Sequence, residues 1–263
     1  MDHTLVAAAM GVGLLAALFL ALEVGYRAGR RAVAEHDTHA GPQVGAIQGA
    51  VLGLMGLLLA FSFAAAGARF LERQDLIVKE ANAIGTAYLR ADLLPSPHRR
   101  DLQVALQRYT EHRIAVSERL RGEIPQPDAE EIQRQQDRIW GAAITGVNAR
   151  PEVMQGVLPP INEVLDVHSE RIFAGKKHVP ALVMGLLIAC SLLSIGVIGY
   201  GCGLGGRRRT PLTGSLAIIV AAALWITIDL DHPRAGLLRL SDEPLKMLRF
   251  DTTTAPDVAP ARP

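Results

Sequence analysis

The chain has 263 residues, of which 49% are hydrophobic and 20% are charged, and its formal net charge is +1. A hydrophobic share this high beside that many charges indicates that the two classes are segregated along the chain, as in a multi-pass membrane protein with a polar domain. A net charge near zero gives no reason to expect nucleic acid or an acidic substrate.

Two uncharged runs open the chain. Thr4 to Leu22 is long enough to cross a membrane, since about 20 apolar residues suffice, and no basic segment precedes it as in a cleaved signal peptide. Val44 to Ala68 also lacks charged side chains, and a helical pattern continues without a breaker from Arg69 to Leu94. The sequence therefore predicts one long second helix that begins in the membrane and ends in water.

Small residues form one face of this second helix when its positions are placed at about 100° each. In lipid, small residues let helices approach closely, so helix packing is the favoured role and a pore lining the alternative. The candidate residues of this small-residue stripe are Gly49, Gly53, Gly56, Ala60 and Gly67.

Residues 69–177 carry sixteen basic and sixteen acidic side chains, a composition typical of a solvated helical insert. Ser96 and Pro97 suit the N-cap and first turn of a helix that ends near Gly122. Proline ends or kinks helices and glycine often follows their last turn, so these residues mark the boundaries within the insert.

The second half of the insert predicts two more helices. Acidic residues from Asp128 onward favour a helix N-terminus, and the apolar pattern extends that helix to about Val147. Pro151 opens the next helix, which we expect Pro159 and Pro160 to kink before it enters the membrane. The insert is thus predicted to be a helical bundle that continues membrane helices 2 and 3.

The rest of the chain holds two further apolar runs and a tail. Val179 to Gly206 is predicted to span, with its last glycines ending the helix, and Thr210 to Ile228 forms the fourth span. Leucines within residues 237–250 predict a short helix lying on the membrane or on the domain, and residues from Asp251 are predicted to be disordered.

The predicted fold class is therefore all-α, with four transmembrane helices and an extramembrane helical domain. Residues 1–68 hold transmembrane helices 1 and 2, residues 69–177 the extramembrane domain, residues 178–230 transmembrane helices 3 and 4, and residues 231–263 the tail. Each short connection carries three arginines, which favours the cytoplasmic side. That orientation places the helical domain and both termini outside the cytoplasm, in an inner-membrane protein.

Few residues suggest site chemistry. His36 and His39 lie in a predicted loop with no third ligand nearby, which favours simple solvation. Asp229, Asp231 and His232 resemble ligands, yet a membrane helix also needs polar residues at its exit, and a site would need partners from elsewhere in the chain. We predict no catalytic residue, no cofactor and no metal, and no enzymatic role.

The run EANAIGTAYLRADLLP, residues 80–95, resembles a family of bacterial four-helix membrane proteins of unknown function described as bestrophin-like. Gly49 to Phe63 before it and Leu230 to Gly236 near the end are similar to that family as well. The resemblance implies a membrane location and, through a remote relationship, anion-channel activity. It brings no catalytic residues. The candidate motif residues are Glu80, Asn82, Gly85, Thr86, Arg90 and Asp92.

Two functions fit these features. The first is an oligomeric anion channel whose pore is lined by second helices, and the alternative is a non-conducting membrane protein whose helical domain binds a partner or supports the cell envelope. Membrane lipid and further copies of the chain are expected partners, with an anion for the channel and no nucleic acid. Within the motif, Asn82 is predicted to be buried, and Glu80 to pair with a basic residue of a neighbouring helix or subunit.

Overall fold

The structure is a computed structural model. It describes residues 3–34, 41–119, 125–208, 210–233 and 237–250. Within these ranges the chain is helical and contains no strand, which confirms the predicted all-α class. The helices are α1 (His3–Ala34), α2 (Gly41–Arg90), α3 (His98–Arg119), α4 (Gln126–Ala149), α5 (Met154–Lys176), α6 (Ala181–Leu204), α7 (Thr210–Asp231) and α8 (Glu243–Lys246).

Four helical stretches of the described chain are long and apolar enough to cross a membrane. They are Ala8–Ala34, Gln43–Leu93, Pro151–Leu204 and Pro211–Asp231, and they correspond to the four uncharged runs of the sequence. Because the bilayer core offers no water to unpaired backbone groups, a helix is the structure these runs can adopt there. The prediction of four spanning helices is confirmed.

The two long predicted helices compare differently with expectation: α2 agrees with it, and α5 differs. α2 is one helix of 50 residues, as predicted. α5 contains Pro159 and Pro160 without a break in its helical assignment, and the interruption lies instead at residues 177–180, before α6. Both prolines lie within the first two turns of α5, so the helix loses only the backbone bonds to Gln155 and Gly156.

The chain divides into two compact units. Unit 1 comprises residues 1–73 and 174–240, and its core includes Leu18, Met55 and Ile195. Unit 2 comprises residues 74–173 and 241–263, and its fully buried side chains include those of Leu102, Leu106, Ile132, Ile139 and Ile161. The boundary between membrane and water at residue 68 stays a prediction.

The tail of unit 2 packs on its own domain between residues 241 and 250. α8 has only four residues, shorter than the predicted helix, but Leu245 is buried and the Phe250 ring lies 5.1 Å from that of Tyr88, measured between centroids. Of the two predicted positions for the tail, the structure therefore favours the domain for these residues. Gly122 and the residues from Asp251 onward lie outside the described part of the chain.

Candidate functional site

The small-residue stripe of α2 faces open space in the single chain. A Cβ added at Gly49, Gly53, Gly56 or Gly67 would meet no atom of a neighbouring described helix within 4 Å, and Ala60 is exposed. The buried side chains of this part of α2 lie on the other side of the helix, at Met55, Ser62 and Ala66. No described helix of the chain therefore packs against the glycines of the stripe.

The close approach of helices through glycine occurs instead between α1 and α6. A Cβ at Gly199 would overlap the carbonyl oxygen of Leu22 and lie 3.0 Å from its carbonyl carbon, and a Cβ at Gly25 would lie 3.0 Å from the backbone nitrogen of Tyr200. Gly29 and Gly203 continue this contact one turn along each helix. Backbone faces backbone here, because only residues without side chains leave the room.

The glycines of this contact have a recognisable spacing in the sequence. Gly25 and Gly29 are four residues apart, as are Gly199 and Gly203, which is the spacing that lines up residues on one helix face. The last glycines of the run that forms α6 are predicted to end the helix, and α6 does end among them: Gly201 and Gly203 lie inside it, and Gly205 and Gly206 follow Leu204. Gly206, with φ of 64°, is the position whose backbone favours glycine at this exit.

Polar side chains in unit 1 form hydrogen bonds either to another helix or to a residue of the same helix. Gln48 donates from Nε2 to the carbonyl oxygen of Val197 at 2.9 Å, a bond between α2 and α6. Glu23 accepts from Arg27 Nε at 2.8 Å and also pairs with Arg208. Both side chains therefore have polar partners within the described chain.

Glu80 is the centre of a buried polar cluster in unit 2. Its side chain is 0% exposed, and its Oε1 accepts from Tyr109 Oη at 2.8 Å and from Arg113 Nε at 3.3 Å. Arg171 donates to the second carboxylate oxygen, Oε2. Burial raises the pKa of Tyr109, so its hydroxyl stays protonated and gives its hydrogen to Glu80. His168 Nδ1 lies 3.2 Å from the same hydroxyl oxygen.

The charges of the Glu80 cluster are balanced by the tail. Arg171 Nη2 lies 3.8 Å from Asp242 Oδ1, and Asp242 also accepts from the hydroxyl of Ser117. Two guanidinium groups therefore face two carboxylates, which joins α2, α3, α5 and the tail of unit 2. Buried charges persist only when paired and hydrogen-bonded, and these ion pairs connect the helices of unit 2 to its tail.

The structure differs from the prediction at Asn82 and agrees with it at Glu80. Asn82 is exposed, so the prediction that its amide is buried is wrong, whereas Glu80 pairs with basic residues of neighbouring helices as one predicted alternative had it. Ile77 and Ile84 determine which face of α2 enters the core of unit 2, and Glu80 lies between them on that face. Among the described residues, the small-residue stripe is not the face by which this helix packs.

The other motif residues do not converge on one place. Gly85 lies against Leu248, since an added Cβ would come within 3.3 Å of that side chain. Thr86, Arg90 and Asp92 are exposed, and Asp92 accepts from Gln103 Nε2 at 3.0 Å. The motif thus serves the packing of unit 2 at Glu80 and Gly85 and presents polar groups elsewhere.

Asp229, weighed as a metal ligand in the sequence, serves as a backbone cap. Its carboxylate accepts hydrogen bonds from the backbone N–H groups of Leu237 at 3.0 Å and Leu238 at 2.8 Å. These two N–H groups, which follow α7, thereby have hydrogen-bond acceptors. His36 and His39 lie outside the described residues.

Comparison with known families decides the relationship of this chain. The bestrophin-like domain family matches residues 13–245. The chain belongs to the bestrophin-like family. No curated protein and no solved structure matches it significantly. The match covers the buried cluster around Glu80 and most of each candidate span, so this bestrophin-like protein is a multi-pass membrane protein.

Proposed function

We propose that this bestrophin-like protein assembles as a homo-oligomer in the inner membrane and conducts anions along a path lined by α2. The observation that carries the proposal is the open small-residue stripe of α2, on a helix long enough to cross a bilayer. One chain with four candidate spans is too small a bundle to enclose a path, so copies must close into a ring.

The geometry of α2 supports this role through what each face contacts. Its buried face, with Met55 and Ser62, is taken up by packing within unit 1, whereas the glycines meet no other described helix. Small side chains on a ring of second helices would let the helices approach closely or leave a path between them. The choice of an anion rests on the family relationship.

We also propose that unit 2 stands in water outside the cytoplasm. Its ion pairs, among them Lys79 with Glu170 and Arg119 with Asp128, are those of a solvated surface. The orientation rests on three arginines in the last turns of α1, Arg27, Arg30 and Arg31, and on three between α6 and α7, Arg207 to Arg209. Both termini would then lie on the same side as unit 2.

The test is reconstitution of the purified full chain in planar bilayers, together with its mass in detergent. We expect a closed oligomer and a chloride-dependent reversal potential. Gly53→Leu should alter the oligomer mass or the conductance, because it places a large side chain on the stripe. Gly185→Leu is the matched control, since Gly185 on α6 also has open space around it but lies off the stripe.

Two results would contradict this proposal. A monomer without conductance would remove the ring, and a Gly53→Leu protein with unchanged mass and conductance would show that the stripe neither packs between copies nor lines a path. An oligomer without conductance would favour the alternative function, a membrane protein whose domain binds a partner. One feature supports that alternative: Leu89 of unit 2 is 69% exposed and Val78 is also exposed on α2.

A further inference from the structure

Two histidines and an aspartate meet in unit 1, where the connection between α5 and α6 passes the end of α7. His178 Nδ1 lies 3.3 Å from Asp231 Oδ2, and His232 Nδ1 lies 3.8 Å from the same oxygen. One ligand atom from each residue lies within 4.8 Å of the other two. Asp231 and His232 have no further ligand close to them in the sequence. The fold brings His178, which is distant in the sequence, next to them.

These distances suit a small metal ion. In a tetrahedral zinc site with bonds of about 2.0–2.2 Å, neighbouring ligand atoms lie about 3.3 Å apart. The separation between His178 and Asp231 has this value, and that between His232 and Asp231 is only slightly longer. The two imidazole rings are stacked with their planes 10° apart, and their Nδ1 atoms lie 3.0 and 3.2 Å from the carbonyl oxygens of Asp231 and Ile228. A metal ion lies close to the plane of each imidazole that binds it, so one ring must rotate to bind the ion, and exposed fractions of 40% and 51% leave room for that rotation.

The carboxylate is held in place by its surroundings. Asp231 is buried, and both of its carboxylate oxygens accept the N–H of Val179, at 3.1 and 3.0 Å. Arg73 donates from Nη1 to the carbonyl oxygen of Asp231 and from Nε to that of Ala174, each at 3.0 Å. Groups that orient a ligand in this way are as much a part of a metal site as the ligands themselves.

We propose that His178, Asp231 and His232 bind a divalent transition metal ion of the zinc class. Two imidazole nitrogens and one carboxylate oxygen are donors that suit zinc, copper, nickel or iron, whereas magnesium and calcium take oxygen ligands. The exposed side of the imidazoles leaves a coordination position for water. The bound ion would join residues 177–180 to the end of α7.

The contacts among these three residues can also be explained without a metal ion. An ion pair between His178 and Asp231, with the His232 ring stacked on His178 at 4.5 Å between centroids, explains the contacts without an ion. In that case the Nδ1–H of each histidine donates to a backbone carbonyl oxygen, that of His178 to Asp231 at 3.0 Å and that of His232 to Ile228 at 3.2 Å. Loss of metal binding on removal of either histidine separates the two arrangements.

The experiment uses the full chain in detergent, freed of any histidine tag and treated with a chelator. Zn²⁺ is titrated by calorimetry, and Co²⁺ is followed by its visible absorption, which is intense when the ion is tetrahedral. We expect one ion per chain, and His178→Ala and His232→Ala should each weaken binding by more than about 10-fold. His98→Gln, a change in unit 2, is the control and should bind as the parent does.

Two outcomes would overturn the proposal: a parent protein that binds neither ion, or the same affinity in both alanine variants as in the parent. Helical circular dichroism verifies that each variant is folded, since both replaced side chains are substantially exposed. Conductance is not measured, so a failure of this site leaves the proposed channel function untouched, and the reverse also holds.

Discussion

Replacing Gly199 by alanine tests whether α1 and α6 truly touch through their backbones. The added methyl carbon would overlap the carbonyl oxygen of Leu22 and lie 3.1 Å from the backbone nitrogen of Tyr26. A flexible side chain could turn away from such a contact, but here the obstacle is the backbone of a neighbouring helix. The helices must therefore separate along their length to admit one carbon atom.

The expected magnitude follows from two opposing effects. Overpacking of this kind destabilises a protein by about 1–3 kcal/mol, whereas alanine in place of glycine favours a helix by about 1 kcal/mol at most. Gly185→Ala lies on the same helix with open space around it, so it receives only the second effect. The two variants should differ by about 1–3 kcal/mol, with Gly199→Ala the less stable.

Thermal unfolding in detergent, followed by the loss of helical circular dichroism, measures this difference. In a chain of this size each kcal/mol shifts the midpoint by about 2–4 °C. Gly25→Ala, on the facing helix, should lower the midpoint in the same way because its Cβ would meet the backbone of Gly196. Equal midpoints for Gly199→Ala and Gly185→Ala would refute the close backbone contact.

Three further predictions follow from the described contacts. Glu80→Gln should lower the free energy of unfolding by about 3–5 kcal/mol in the same assay, because two buried arginines lose their shared carboxylate. Asn82→Leu should change it by less than about 0.5 kcal/mol, because Asn82 is exposed. A larger loss of stability in Asn82→Leu than in Glu80→Gln would show that Asn82 is the buried residue of the two. Gln48→Met should destabilise by about 0.6–2 kcal/mol through loss of the bond to α6, and an unchanged midpoint would mean that this bond contributes nothing. A cysteine at the exposed position Ala129 should react with an impermeant thiol reagent in cells with a permeable outer layer, compared with the parent protein; reaction only after lysis of the inner membrane would reverse the orientation.

Sequence alone was enough for the features that depend on neighbouring residues. The uncharged run from Val44 to Ala68 requires a helix, because backbone groups in the bilayer core must bond within their own segment. The continuation of α2 into a polar stretch and the start of α4 near Asp128 followed from local pattern in the same way. The run at residues 80–95 also pointed to the family that the comparison confirms.

Only the tertiary structure decided which faces of these helices meet. A period of 3.6 residues places Gly53 and Glu80 on different sides of α2, but it does not say which side is buried. That Glu80 is buried and paired depends on Arg113 and Arg171, which come from distant helices. The approach of His178 to Asp231 likewise depends on where the chain returns after 53 residues, and a local sequence pattern does not contain that information. Small residues allow a close contact between helices wherever they occur. The tertiary packing places Gly199 in such a contact and leaves the stripe of α2 open.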